Sequence, residues 1–149
     1  MEGPVNLDVQ IKKSNSKLYL LICSIVILLL VSSSTFAQPT WLGGTPTVSS
    51  NVFGFDLDFQ VSEAGTIYYI IYNSDAYPGG LSSATVRAAA TTGPVGGRVA
   101  TGTLAYTSGT LTEVVSGLLA NKFYAIFITV ENSSGDFFDV DALRFYRKT

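Results

Sequence analysis

The sequence predicts an all-β domain, an antiparallel β-sandwich of about seven strands, placed behind an N-terminal hydrophobic segment. Three observations predict it. Residues 53–61 alternate apolar and polar side chains without a break. Two further runs, 66–73 and 124–130, are β-branched and aromatic on both faces. Turn residues separate these and several weaker runs at short intervals, and no long stretch keeps a helical period.

The first element is not part of the sandwich. Residues 18–31 are apolar apart from Ser24, with Lys12, Lys13 and Lys17 just before them and small residues from Ser32 to Ala37 after. A basic region, an apolar core and small residues at Thr35 and Ala37 have the order of a secretory signal peptide, with cleavage expected between Ala37 and Gln38. The 14 apolar residues fall short of the roughly 20 that a membrane span needs. Cleavage is therefore the expectation, and an uncleaved membrane anchor is the alternative. The expected organisation is a signal peptide over 1–37, an extended leader over 38–46 and the sandwich over 47–149. The product would be secreted or displayed at the cell surface.

Pro39, Gly43, Gly44 and Pro46 make the leader extended. In the run that follows, Phe53, Phe55, Leu57, Phe59 and Val61 share one face, and Gly54, Asp56, Asp58 and Gln60 share the other. A strand with this period of two buries one face only. The run 66–73 has no polar face and reads as a central strand. Residues 75–80, with Pro78, Gly79 and Gly80, form a loop. The alanine-rich segment 81–90 is open between a short helical turn and an edge segment. Residues 98–106 make a weak strand, 110–116 a better one, 124–130 the second central strand and 140–147 the last.

Residues 117–132 resemble the corner and penultimate strand of fibronectin type III domains. The match is carried by Leu118 six residues before Tyr124, then alternating apolar residues up to Asn132. The segment 64–71 is similar to the third strand of fibronectin-like repeats in bacterial surface proteins, where a short alanine-rich stretch follows. The resemblance implies a tyrosine corner, with the Tyr124 ring buried and its hydroxyl bonded to nearby backbone. It also implies a module for adhesion, protein interaction or spacing, with neighbouring domains of a longer chain among its partners. The tryptophan often found in the second strand of that family is replaced by Phe53, Phe55 and Phe59, and Trp41 lies upstream.

Composition narrows the chemistry. Past residue 37 there are six basic and nine acidic residues, a balance of −3, with a basic cluster only at the C-terminal end. Nucleic acid, which needs a phosphate-neutralising patch, is excluded as an expected partner. Histidine is absent and the single cysteine, Cys23, lies in the signal segment. Ser-His-Asp and Cys-His nucleophile pairs are thus impossible, and zinc lacks its usual ligands. No cofactor is expected, and the chain reads as a non-enzyme. A hydrolase built from carboxylates alone would use Asp56 and Asp58, both on the outer face of one strand. Asp136, Asp139 and Asp141 with Asn132 form the densest group of oxygen ligands, read as a solvated acidic turn with weak calcium binding as the alternative. Tyr68 and Tyr72 share one strand face, and Phe127 points away from Tyr124, Ile126, Ile128 and Val130. If the latter four face inward, Tyr68, Tyr72 and Phe127 form an outward row. Such a row would stack on a glycan or enter a protein interface, or it would pair across strands and only stabilise the sheet. The expected partner is thus a protein or glycan at the cell surface, with the membrane touched only through an uncleaved signal segment. Asn132, Ser133 and Ser134 also fit a glycosylation sequon on a turn.

Overall fold

In the computed structural model, residues 38–73 and 79–148 are described; the signal reading and most of the loop after residue 73 lie outside them. The strands are β1 (Thr47–Ser50), β2 (Gly54–Phe59), β3 (Gly65–Asn73), β4 (Arg98–Tyr106), β5 (Leu111–Ser116), β6 (Lys122–Asn132) and β7 (Asp141–Arg147). One helix, α1 (Ser83–Thr92), lies between β3 and β4. The strands form two antiparallel sheets, ordered β1-β2-β5 and β4-β3-β6-β7. The expected all-β sandwich is the observed fold, and Ala37–Thr149 is one compact unit.

The alternation in β2 builds the interior. Phe55, Leu57 and Phe59 are fully buried, and they meet Ile67 and Ile71 of β3 and Ile126, Ile128 and Val130 of β6. The rings of Phe55 and Tyr124 approach to 6.3 Å across the two sheets, and Phe145 of β7 stands 5.1 Å from Phe55. Each large apolar side chain removed from water here stabilises the fold by about 1.5–3 kcal/mol.

Phe53, expected on the same inward face, is 72% exposed. The reason is local: the Asn51 side chain accepts hydrogen bonds from Phe53 N at 2.9 Å and Gly54 N at 2.6 Å. That turn closes before the strand begins, so Phe53 projects from the β1–β2 connection. The strand β1 itself was not expected. Its sequence, Thr-Val-Ser-Ser, carries one apolar residue and no readable period.

The leader is docked rather than loose. Trp41 bridges Val61, Leu42 N donates to Gln60 O at 2.8 Å, and Ser62 N donates to Thr40 O at 2.9 Å. The Trp41 ring lies 6.2 Å from both Phe59 and Phe138 and closes that end of the core.

The alanine-rich segment is a full helix. Ser82 caps it, accepting from Thr85 N at 3.2 Å, and Gly93 ends it with φ +93°. Val86, Ala89 and Ala90 are buried against the outer face of β3 and β6, and the small alanines let the helix lie close to the sheet. Beneath them are Tyr68, Ile70, Tyr72, Ala125 and Phe127. The two central strands are therefore covered on both faces, as their two-sided apolar sequences require.

Candidate functional site

The expected outward row of aromatics is buried. Tyr68, Tyr72 and Phe127 are 7%, 6% and 2% exposed, because α1 covers the face on which they stand. Phe127 and Tyr72 are neighbours, 6.1 Å apart and edge to face, so the inferred proximity holds while the inferred exposure does not. The Tyr68 hydroxyl donates to Glu131 Oε2 at 2.8 Å. Glu131 Oε1 in turn pairs with Arg87 of α1 at 3.3 Å, and the Arg87 guanidinium lies 5.7 Å above the Phe137 ring. Burial pushes the Tyr68 phenol above its ordinary pKa, and the Glu131 carboxylate adds to the rise. This cluster ties the helix to the sheet. With these three rings covered, they offer no platform for a sugar.

Tyr124 is buried and its hydroxyl donates to Leu119 O at 2.9 Å, five residues upstream. Leu118 is buried beside the same corner. Burial raises the Tyr124 phenol pKa, while the bond to Leu119 and the Arg147 charge pull it down.

Asp56 and Asp58 stand on the outer face of β2, and each serves the sheet. Asn51 Nδ2 donates to Asp56 Oδ1, and the Thr112 hydroxyl donates to Asp58 Oδ1, both at 2.6 Å. Among the described residues no three metal-ligating side chains gather, so Asp136, Asp139 and Asp141 are not brought together. Asn132 is buried; its Oδ1 accepts from Ser134 N at 3.0 Å and Asp136 N at 2.9 Å, which shapes the turn that the sequon occupies. Burial raises the Asp141 carboxyl pKa. The nearby Trp41 indole N–H opposes the rise, although the two groups are out of hydrogen-bond geometry.

What sequence reasoning missed is the segregation of side chains along the sandwich. The β1–β2 turn, the β5–β6 corner, the start of β4 and the last residues of β7 lie at one end, here the corner end. The register fixes this: Gly54 pairs with Ser116, Phe123 with Tyr146 and Lys122 with Arg147, and Arg98 with Tyr72. Arg147 joins the sheets there, its Nη2 donating to Val52 O at 3.1 Å while its carbonyl accepts from Asn121 N at 2.7 Å. Among the described residues, nine large hydrophobic ones remain exposed, and seven of them are at this end: Val52, Phe53, Val95, Val99, Leu119, Phe123 and Tyr146. Leu42 and Val114 are the other two.

The charges follow the same axis. Of the six basic residues among the described ones, Arg98, Lys122, Arg144, Arg147 and Lys148 lie at or near the corner end, and Arg87 is on the helix. Asp58, Glu63, Glu131, Asp136, Asp139 and Asp141 lie toward the leader end, while Asp56, bonded to Asn51 of the β1–β2 turn, is the acidic residue nearest the corner end among the described ones. The Phe123 and Tyr146 rings stand 4.5 Å apart at the corner end, and Tyr146 also reaches Asn121 Oδ1 at 3.4 Å. A shallow open groove beside them is lined by Ser50, Asn51, Val52, Arg147 and Lys148. The available sequence signal was the position of Phe53, Leu119 and Phe123 within two residues of the turn residues Asn51, Gly117 and Asn121. An apolar residue inside a turn has no strand face to bury it.

No protein-family model matches the chain, and no curated protein is detectably similar to it.

Proposed function

We propose that this chain is a secreted or cell-surface module without catalytic activity, working by adhesion, protein interaction or spacing. The observation that carries the reading is the corner end, where exposed apolar residues and basic residues concentrate on a sandwich that is otherwise polar outside. Single exposed apolar residues are ordinary, but a cluster of them with a charged surround marks an interaction surface. The basic, apolar and small-residue order of residues 12–37 supports export.

A fibronectin type III-like assignment, within bacterial surface proteins, draws support from two features. One is the corner hydrogen bond of Tyr124 after the buried Leu118. The other is the strand order, in which the fourth strand joins the β3-β6-β7 sheet. Constant-type immunoglobulin domains instead place their fourth strand with the first, second and fifth.

N-terminal sequencing of the full-length chain expressed in a host with a secretory pathway, combined with cell fractionation, tests the export half. The expected product begins at Gln38 and lies outside the cytoplasm. Intact protein beginning at Met1 and retained in the cytoplasm overturns the reading.

A further inference from the structure

We infer that the corner end docks onto the surface of a bilayer containing anionic phospholipid. This rests on the reading of the chain as an exported interaction module and names the partner. The three most projecting apolar residues are in turns at this end: Val52 is 82% exposed, Phe53 72% and Leu119 67%. They project from turns rather than from a flat face, and apolar side chains presented beside basic ones insert at the boundary of headgroups and acyl chains. Behind them stand Phe123 and Tyr146, a ring pair with a hydroxyl at its outer edge. Aromatic rings with one apolar and one polar side favour the membrane–water interface. Lys122 and Lys148 stand beside the tips, and Arg147, bonded to Val52 O, adds its charge between the sheets.

Charge complementarity selects this occupant. An anionic surface attracts the basic end and repels the acidic leader end, so the field orients the domain with its apolar tips leading. A second copy docked head to tail would match basic against acidic ends. It would, however, set seven exposed apolar residues against an end that, among the described residues, offers only Leu42. A nucleic-acid backbone would accept the charges and leave Val52, Phe53 and Leu119 in water. A bilayer interface meets both demands at once. Among the described residues no helix is long and apolar enough to cross a membrane, so the contact is one of lying on the surface.

Residues 38–149 enclose their own interior, so that fragment is sedimented with vesicles after its cooperative melt has been recorded. Vesicles of phosphatidylcholine alone are compared with vesicles in which about a third of the lipid is phosphatidylglycerol. Binding is expected to the anionic vesicles only, and to be lost near 1 M salt, where charges are screened within about 3 Å. The Lys122→Gln/Lys148→Gln variant is expected to bind about 25-fold more weakly, at about fivefold per charge. Val52→Ser/Phe53→Ser is expected to lose at least tenfold, and Val114→Ser to bind as the parent does. In the full-length chain, with Cys23→Ser and Phe53→Cys labelled by an environment-sensitive dye, emission is expected to shift to the blue on anionic vesicles and to be quenched from within the lipid. Equal binding to both vesicle types, unchanged binding by either double variant, or an unshifted dye overturns the proposal. So does self-association abolished by the same variants without vesicle binding. Failure here with a processed, exported chain leaves the interaction-module reading standing and removes only the lipid; failure of export removes both.

Discussion

Gly102→Ala adds a single methyl group and is expected to damage this sandwich badly. Gly102 on β4 is paired with Tyr69 on β3, and the Tyr69 ring lies directly over it. A Cβ at residue 102 would overlap Cε1, Cζ and the hydroxyl oxygen of that ring. The ring has little room to move, since Tyr69 is 4% exposed and its hydroxyl donates to Glu113 Oε1 of β5 at 2.9 Å. Tyr69 thereby spans from the larger sheet to the smaller one, and Gly102 is the gap through which it passes. Displacing the ring costs about 1–3 kcal/mol in overpacking. Losing a hydrogen bond to a charged partner adds about 1.5–3 kcal/mol. The reduced backbone entropy of the unfolded alanine variant returns about 0.4–1 kcal/mol. The net destabilisation is about 3 kcal/mol, or near 12 °C in Tm at about 4 °C per kcal/mol for a domain of this size. Urea unfolding followed by circular dichroism measures it, and a double-mutant cycle assigns it. In a Tyr69→Ala background, Gly102→Ala is expected to be neutral or slightly stabilising, with a coupling of about 3 kcal/mol. Equal destabilisation in both backgrounds would refute the account, because the cost would then lie in the strand and not in the ring.

Three further outcomes follow from named contacts. Phe127→Ala, beneath α1, is expected to cost about 3–5 kcal/mol, whereas Phe123→Ala, four residues earlier, 56% exposed and paired with the Tyr146 ring, is expected to cost about 0.5–1.5 kcal/mol; similar melting temperatures for the two would contradict the burial described. Tyr124→Phe keeps the ring and removes the donor to Leu119 O, and is expected to cost about 1–2 kcal/mol in urea unfolding. The phenols of Tyr68, Tyr69 and Tyr124 all have pKa values raised chiefly by burial. Their contribution is therefore complete below about pH 10, the value in the unfolded chain, and is lost as the pH rises beyond it. Melting curves across that range are expected to fall more gently for Tyr69→Phe than for the parent.

The fold was legible where burial imposes a period. The inward row Phe55, Leu57, Phe59 and Val61 and the row Tyr124, Ile126, Ile128 and Val130 were readable because a two-sheet core demands alternation on each strand. The two-sided run of β3 was readable as central for the same reason. What covers its outer face was not. A helix with three buried residues, Val86, Ala89 and Ala90, gives a weak apolar stripe, and alanine is compatible with more than one structure. The row of Tyr68, Tyr72 and Phe127 was thus correct in direction and wrong in exposure. β1 was illegible because an edge strand of four mostly polar residues gains its pairing from β2 and not from its own side chains. The candidate site was the least legible part, since it is made of turns whose neighbourhood exists only after the strands have paired.

The helix also bears on why the proposed interaction surface sits at an end. A four-stranded sheet whose central strands are apolar on both sides must be covered twice, and here the β1-β2-β5 sheet covers one face and α1 the other. The outer face of the smaller sheet carries Asp56, Asp58 and Thr112 in mutual and local hydrogen bonds. Among the described residues, Val114 is the one large apolar side chain exposed on the outer face of the smaller sheet, too little to make a patch there. The ends differ in how they are closed: the leader lays Trp41 against Phe59 and Phe138 at one, while at the other Val52, Phe53 and Leu119 stay mostly exposed and Phe123 is covered in part by Tyr146. Polarity in charge and polarity in closure thus coincide at the same end of one compact unit. That coincidence, and not the count of exposed side chains, is the physical reason to place recognition there.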